Sequence, residues 1–129
     1  MTLDYDTNLT HQIIGLAMRV HSILGPGLLE SAYERCLCHE LDQSDIEYAR
    51  QVELPLNYHG ARLDCSYRAD IIVRSDVLLE LKSVEQISPL HDALLQTYLR
   101  LSVCRVGLLL NFNTVSLQDG IRRRVQTRD

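Results

Sequence analysis

Three charged residues stand in two segments that otherwise have the pattern of buried β-strands. Residues 68–73 and 77–82 are both rich in apolar side chains, and they carry Asp70 in the first segment and Glu80 with Lys82 in the second. Side chains alternate between the faces of a strand, so Glu80 and Lys82 share a face and a hairpin would bring Asp70 beside them. Buried charges are costly unless they pair or bind a metal. The pattern therefore predicts a site, with a structural ion pair of Lys82 to either carboxylate as the alternative.

Two carboxylates in such a setting favour a hard divalent cation as cofactor. Oxygen ligands suit Mg²⁺ or Mn²⁺, which keep several waters and complete their shell with substrate phosphate. Zinc is not expected, because the four cysteines do not form paired C-x-x-C sets and the five histidines are scattered. We expect the cysteines to be reduced thiols.

The length of 129 residues predicts one domain over residues 1–129. No apolar run is long enough to cross a membrane and the first residues lack the basic start of a signal peptide, so we expect a cytoplasmic location. A net charge of −4 argues mildly against a protein that coats nucleic acid. The basic cluster Arg122, Arg123 and Arg124 is the candidate for phosphate contacts, with a solvated chain end as the plainer alternative.

Hydrophobic periodicity predicts two helices ahead of every strand. The predicted elements are helices over about 9–24 and 28–43, separated by Gly25-Pro26-Gly27, strands from about 47 to 58, 62–73 and 77–82, a helix from Ser88-Pro89 to 101, a strand over 105–112, and a turn with a last strand or helix over 115–125. The first three strands should form an antiparallel meander, with Pro55 indicating an edge or a bulge. The prediction is an α/β fold in which a crossover helix leads to a further, buried strand.

The order of these elements, with an acid in the second strand and E-x-K in the third, resembles the PD-(D/E)xK nuclease superfamily. Within it the chain is similar to the small bacterial family named for a G-x-x-E-x-x-Y motif, which here is the segment from Gly27 through Glu30 to Tyr33. The resemblance covers nearly the whole chain, and Glu80 follows Asp70 by ten residues. It implies a nuclease-like core around these motifs.

The resemblance also implies a role for each motif residue. Asp70 and Glu80 match the metal-binding carboxylates, the backbone carbonyl of Leu81 would add a ligand, and Lys82 matches the lysine that orients or activates the attacking water. Glu30 matches a helix-borne acid that reaches the metal directly or through water.

Helical spacing adds support from a neighbouring turn. Glu30, Tyr33 and Glu34 share a helical face, which could cover the open side of the hairpin. Tyr33 is expected to support the site by bonding to Glu30 or Lys82, with core packing as the alternative.

The chain departs from related nucleases in the helix after the E-x-K strand, where they often carry Q-x-x-x-Y. Leu94 holds the glutamine position and Gln96 follows two residues later, displaced by about 200° around the helix. Either a local shift lets Gln96 substitute, or this support is missing. Tyr98 remains a candidate contact with the site.

The resemblance implies a metal-dependent nuclease that hydrolyses phosphodiester bonds of nucleic acid, with DNA as the favoured substrate and partner. The alternative is a catalytically weak or inactive nuclease-fold module that acts in nucleic-acid or protein binding. A homodimer formed through strand 106–110 or a helical face, or a partner protein, is compatible with either function.

Overall fold

The protein is built around a five-stranded mixed sheet flanked by helices, as seen in a computed structural model that describes residues 2–64 and 67–126. In chain order its elements are α1 (Thr2–Leu24), α2 (Glu30–Gln43), β1 (Tyr48–Glu53), β2 (Leu56–Tyr58), β3 (Ala61–Leu63), β4 (Arg68–Val73), β5 (Val77–Lys82), α3 (Pro89–Leu101), β6 (Val106–Asn111), a 3₁₀ helix (Leu117–Gly120) and β7 (Ile121–Val125).

The strands of the large sheet lie in the order β1-β4-β5-β6-β7. The first three pair antiparallel as the predicted meander, and α3 then crosses over so that β6 lies parallel to β5. The last strand, β7, pairs antiparallel with β6. The predicted α/β architecture with a crossover helix is confirmed.

The first two predicted strands are each divided in two. Leu54 and Pro55 separate β1 from β2, because proline has no N–H for a strand ladder. On the second predicted strand, β3 ends at Leu63 and β4 begins at Arg68. The short strands β2 and β3 form a separate two-stranded sheet. They are joined through His59 and Gly60, whose φ angles of 49° and 81° suit a tight hairpin turn.

The helices differ from the prediction mainly at their starts. α1 begins at Thr2 rather than near residue 9, and α2 begins at Glu30 rather than 28, with Leu29 as its N-cap. Between them Gly25 and Gly27 adopt φ angles of 71° and 99°, which glycine tolerates without strain. α3 begins as predicted, with Ser88 accepting the His91 N–H.

Apolar side chains form one core on each face of the sheet. α1 and α2 cover one face, where Tyr33 and Leu37 pack with Leu79 and Leu108, and α3 covers the other. β6 is buried along its whole length between β5 and β7. The proposed dimer interface through strand 106–110 is therefore wrong, since both edges and both faces of that strand are already covered. Within the described ranges, none of the helices combines the length and apolar character needed to cross a membrane.

Candidate active site

The hairpin of β4 and β5 brings the two predicted acids together where regular strand pairing ends. The last paired positions are Ile71 and Leu79, and Asp70 and Glu80 are the next residues on each strand. The Leu81 N–H donates to Asp70 Oδ2 at 2.8 Å, and the Asp70 N–H donates to Glu80 Oε1 at 3.1 Å. Each carboxylate is thus fastened to the backbone of the opposite strand.

Burial makes the charged forms of both acids unfavourable. Glu80 is only 6% exposed, and burial raises its pKa to about 8, with the neighbouring Asp70 carboxylate adding to the effect. The pKa of Asp70 is also raised, first by burial and then by the Glu34 carboxylate, against the opposing bond from the Leu81 N–H. The surrounding residues therefore do not supply enough positive charge to stabilise both carboxylates in their ionised form.

Lys82 stands at the end of β5 as a half-buried cation beside this pair. Its ammonium group lowers the pKa of both Asp70 and Glu80, which places its charge within electrostatic range of each. Among the described residues, however, no hydrogen bond or ion pair holds this ammonium. The contact that a structural ion pair needs is therefore not formed.

Glu30 approaches the pair from the first position of α2. Its Oε2 accepts the Ser83 N–H at 3.3 Å, while Ser83 Oγ donates to the Leu28 carbonyl at 2.6 Å. These bonds join the start of α2 to the residue just after β5. The Glu30 carboxylate also contributes to the raised pKa of Asp70 and of Glu80.

Tyr33 acts on the site only through the turn before α2. Its hydroxyl donates to the Gly25 carbonyl at 2.6 Å and accepts the Leu28 N–H at 3.1 Å, and its ring stacks on Phe112 with centroids 4.4 Å apart. The expected bond to Glu30 or Lys82 is not formed, because the turn occupies the hydroxyl. Tyr33 fixes the entry of the helix that carries Glu30.

Of the two candidate residues on α3, Tyr98 lies close to the acids and Gln96 does not. Burial raises the pKa of Tyr98, and the Glu80 and Asp70 carboxylates raise it further, so Tyr98 lies close to the acids. Gln96 is exposed and bonds to Asp92 on its own helix at 3.4 Å. The helical shift that would let Gln96 replace the usual glutamine does not occur. Leu94 holds that position, one helical turn before Tyr98.

The three arginines of β7 do not form one cluster. Register with β6 sets Arg122 opposite Leu109 and Arg123 opposite Leu108, and these two leucines belong to the cores on different faces. Arg124 pairs with Asp92 of α3 at 2.8 Å. The Arg122 guanidinium donates to the backbone carbonyls of residues 119 and 121.

A second buried acid, Glu34, was not predicted as a site residue. It is 6% exposed and accepts hydrogen bonds from Arg50 and Gln51 of β1. Its place one turn after Glu30 was the only available signal, because nothing in the sequence brings β1 to this helix. Tyr67, whose ring centroid lies 6.0 Å from that of Tyr98, was also missed, although it stands three residues before Asp70.

Comparison with known proteins gives a family match over most of the chain. A family model described as the PD-(D/E)XK nuclease superfamily matches residues 7–124. The chain belongs to this superfamily. Searches of curated proteins and of solved structures gave no match. Members of the PD-(D/E)XK nuclease superfamily are generally nucleases, and they typically use divalent metal ions.

The donor atoms of the site fit the hard cation that the PD-(D/E)XK superfamily implies. The Lys82 carbonyl accepts the N–H of Phe112, the residue just after β6, at 2.9 Å. Because successive carbonyls of a strand point to opposite sides, the Leu81 carbonyl is directed toward β4. Two carboxylates and a carbonyl are oxygen ligands of the type Mg²⁺ and Mn²⁺ prefer. In the part of the chain that the structure describes, no three His, Cys, Asp or Glu side chains are grouped to hold a metal. The fit therefore leaves most of the shell to water and substrate.

Proposed function

We propose that this chain is a Mg²⁺- or Mn²⁺-dependent nuclease of the G-x-x-E-x-x-Y family that hydrolyses phosphodiester bonds of nucleic acid, with DNA as the favoured substrate. The observation that carries the proposal is the pair of half-buried Asp70 and buried Glu80, each bonded to the other strand's backbone. Lys82 lies beside them without an ion-pair partner among the described residues. Acids whose pKa is raised by burial and by a neighbouring carboxylate are candidates for functional sites.

Each residue has a distinct task in this mechanism. The divalent ion, when bound, would polarise the scissile phosphate and lower the pKa of a water molecule. Asp70, Glu80 and the Leu81 carbonyl would hold the ion, and Glu30 would reach it from α2 directly or through water. Lys82 Nζ donates a hydrogen bond that orients the attacking water and offsets negative charge at the phosphate. The reaction needs no covalent intermediate.

The test is a cleavage assay on labelled single-stranded, duplex and branched DNA and on RNA, with Mg²⁺, Mn²⁺ or a chelator. Lys82→Ala should lower the cleavage rate by roughly a hundred-fold, the effect of losing a positioned catalytic group, while nucleic-acid binding stays nearly intact. Asp70→Asn should abolish cleavage in a protein that remains folded. Wild-type protein that binds DNA but cuts none of these substrates would contradict the proposal.

Arg122 is the arginine best placed to contact substrate phosphate. It lies opposite Leu109, which lies opposite Glu80, so Arg122 is two strands and about 10 Å across the sheet from the acid, on the same face. Arg122→Ala should weaken DNA binding and reduce the salt slope by about 1. Arg123→Ala, on the other face, is the matched control, and equal losses from both variants would contradict this assignment.

One observation favours the alternative of a binding module without catalysis. Leu94 is apolar where related nucleases often place glutamine, and Gln96 is directed away from the acids. Wild type and Lys82→Ala would then bind nucleic acid or protein with the same affinity. The module would show no cleavage under any of the metal conditions.

A further inference from the structure

The ladder between β1 and β4 is interrupted at one position, and that position holds Asp70. Arg50 pairs with Ile71 and Val52 pairs with Ala69, but Gln51, the residue between, forms no pair with Asp70. Gln51 has a φ of 50°, in the left-handed region that residues other than glycine rarely adopt. The irregular residue thus faces the catalytic acid directly.

Backbone hydrogen bonds show that the ladder changes phase at this point. The Arg74 N–H donates to the Glu47 carbonyl at 3.0 Å on one side of the break, and the Leu54 N–H donates to the Tyr67 carbonyl at 2.8 Å on the other. An antiparallel ladder repeats its bonded pairs at every second residue. Positions 67 and 74 are an odd number of residues apart, so one irregular position must lie between them.

Side-chain directions change at the same place. Ala69 belongs to the core under α3, whereas Ile71 belongs to the core under α1 and α2, although alternation alone would put both on one face. Asp70 lies between them, and its N–H donates to Glu80 Oε1 rather than to β1. The break in the ladder therefore coincides with the bond that joins the two acids.

Glu34 holds the irregular residue in place. Its Oε1 accepts from Gln51 Nε2 at 2.9 Å, and its Oε2 accepts from Arg50 Nε at 2.9 Å and Nη2 at 2.8 Å. All the acceptor bonds of this buried carboxylate that we observe go to these two neighbours in β1. A left-handed residue in a strand persists only when surrounding contacts hold it, and these bonds provide such contacts.

We propose that Glu34 is a positioning residue that acts on the acids through β1. By holding Gln51 in the left-handed conformation it keeps the ladder open at Asp70, which leaves the Asp70 N–H available to Glu80 and sets the spacing of the two carboxylates. Glu34 has this effect on the hairpin in the metal-free protein. Its consequence for metal binding rests on the proposed nuclease function.

The test in metal-free protein follows the Asp70 amide by NMR. Glu80→Ala removes the acceptor, so in an otherwise wild-type chain it should shift the Asp70 amide signal and speed its hydrogen exchange. In a Glu34→Ala background the same substitution should have much less effect. Glu40→Ala is the matched control, because Glu40 also lies on α2 and pairs with an arginine, Arg19, at 3.7 Å. Equal effects of Glu80→Ala in all three backgrounds would overturn the proposal.

Substitutions at Gln51 test the same mechanism without removing a buried charge. Gln51→Gly tolerates the left-handed φ and should preserve the response of the Asp70 amide to Glu80→Ala. Gln51→Val disfavours that φ strongly, so the ladder should close and the response should disappear. A response that survives in the valine variant would also overturn the proposal.

Metal titration extends the test to function. Glu34→Ala should weaken Mg²⁺ binding, measured by calorimetry, by about 10- to 100-fold, as outer-shell substitutions do, and Glu40→Ala should leave it unchanged. Unchanged binding in Glu34→Ala would contradict the functional consequence. A wild-type protein that binds neither Mg²⁺ nor Mn²⁺ would refute the proposed nuclease instead, and the amide response would still decide the role of Glu34.

Discussion

Removing the charge of Glu80 should stabilise the metal-free protein in a manner that depends on pH. The pKa of this carboxyl is about 8 in the folded protein, against an ordinary value of 4.5. Between these two values the folded protein keeps a proton that the unfolded chain releases. The free energy of unfolding therefore falls as the pH rises from about 4.5 to about 8 and levels off above that range.

The size of the effect follows from the same two values. One pKa unit corresponds to about 1.4 kcal/mol, so the full difference is worth about 5 kcal/mol above pH 8 and about 3 kcal/mol at pH 7. Glutamine has the shape of glutamate and stays neutral, and its amide oxygen can still accept the Asp70 N–H. Glu80→Gln should therefore be more stable than wild type by about 3 kcal/mol at pH 7, and nearly equal to it at about pH 4.5.

Urea unfolding in the presence of a chelator, at several pH values between these limits, measures the difference. Glu53→Gln is the control for the loss of one negative charge, because the Glu53 side chain is 69% exposed. A stability difference between Glu80→Gln and wild type that does not grow with pH would refute the burial argument. So would a wild type that is the more stable protein throughout the range.

Divalent metal should largely cancel the stability difference between the two proteins at pH 7. Mg²⁺ at a hundred times its dissociation constant would stabilise wild type by about 2.7 kcal/mol, because it binds only the folded state. Glu80→Gln lacks one of the two carboxylates and should gain much less. Melting curves of wild type that coincide with and without millimolar Mg²⁺ or Mn²⁺ would count against the metal site.

Three further variants test the framework around the site, each by urea unfolding. Gly120→Ala should destabilise by about 3 kcal/mol or more, because the added Cβ would collide with the backbone oxygen of Asn111. Gly15 lies in α1, and a Cβ added there has no atom within 4 Å apart from the nearby backbone of that helix, so Gly15→Ala should stabilise by roughly 0.5–1 kcal/mol. Equal effects of the two alanine substitutions would contradict the packing argument. Tyr33→Phe should cost about 1–3 kcal/mol, since the Gly25 carbonyl loses its donor, and an unchanged midpoint would show that the turn does not need this bond.

Patterns local in sequence were sufficient to predict most of the fold. Period-two alternation indicated the meander, the continuous apolar run indicated the buried β6, and Ser88-Pro89 indicated the start of α3, because each depends on a few neighbouring residues. The acids in the hairpin were predicted for the same reason, since a short turn limits where Asp70 and Glu80 can lie. The division of the first two predicted strands was not foreseen, because pairing of β2 with β3 alone depends on how the whole sheet is packed.

Contacts between residues far apart in the chain depend on the tertiary structure. The Tyr33 hydroxyl could have turned to Glu30, but the packing of its ring on Phe112 directs it to Gly25. The left-handed conformation of Gln51 cannot be recognised in the sequence, because glutamine does not favour that conformation by itself. It depends on the hydrogen bond from Gln51 to Glu34, a residue of α2. The sequence alone determined which acids form the pair, and packing around them determined their burial, their pKa and their partners, because those properties depend on every element that encloses the site.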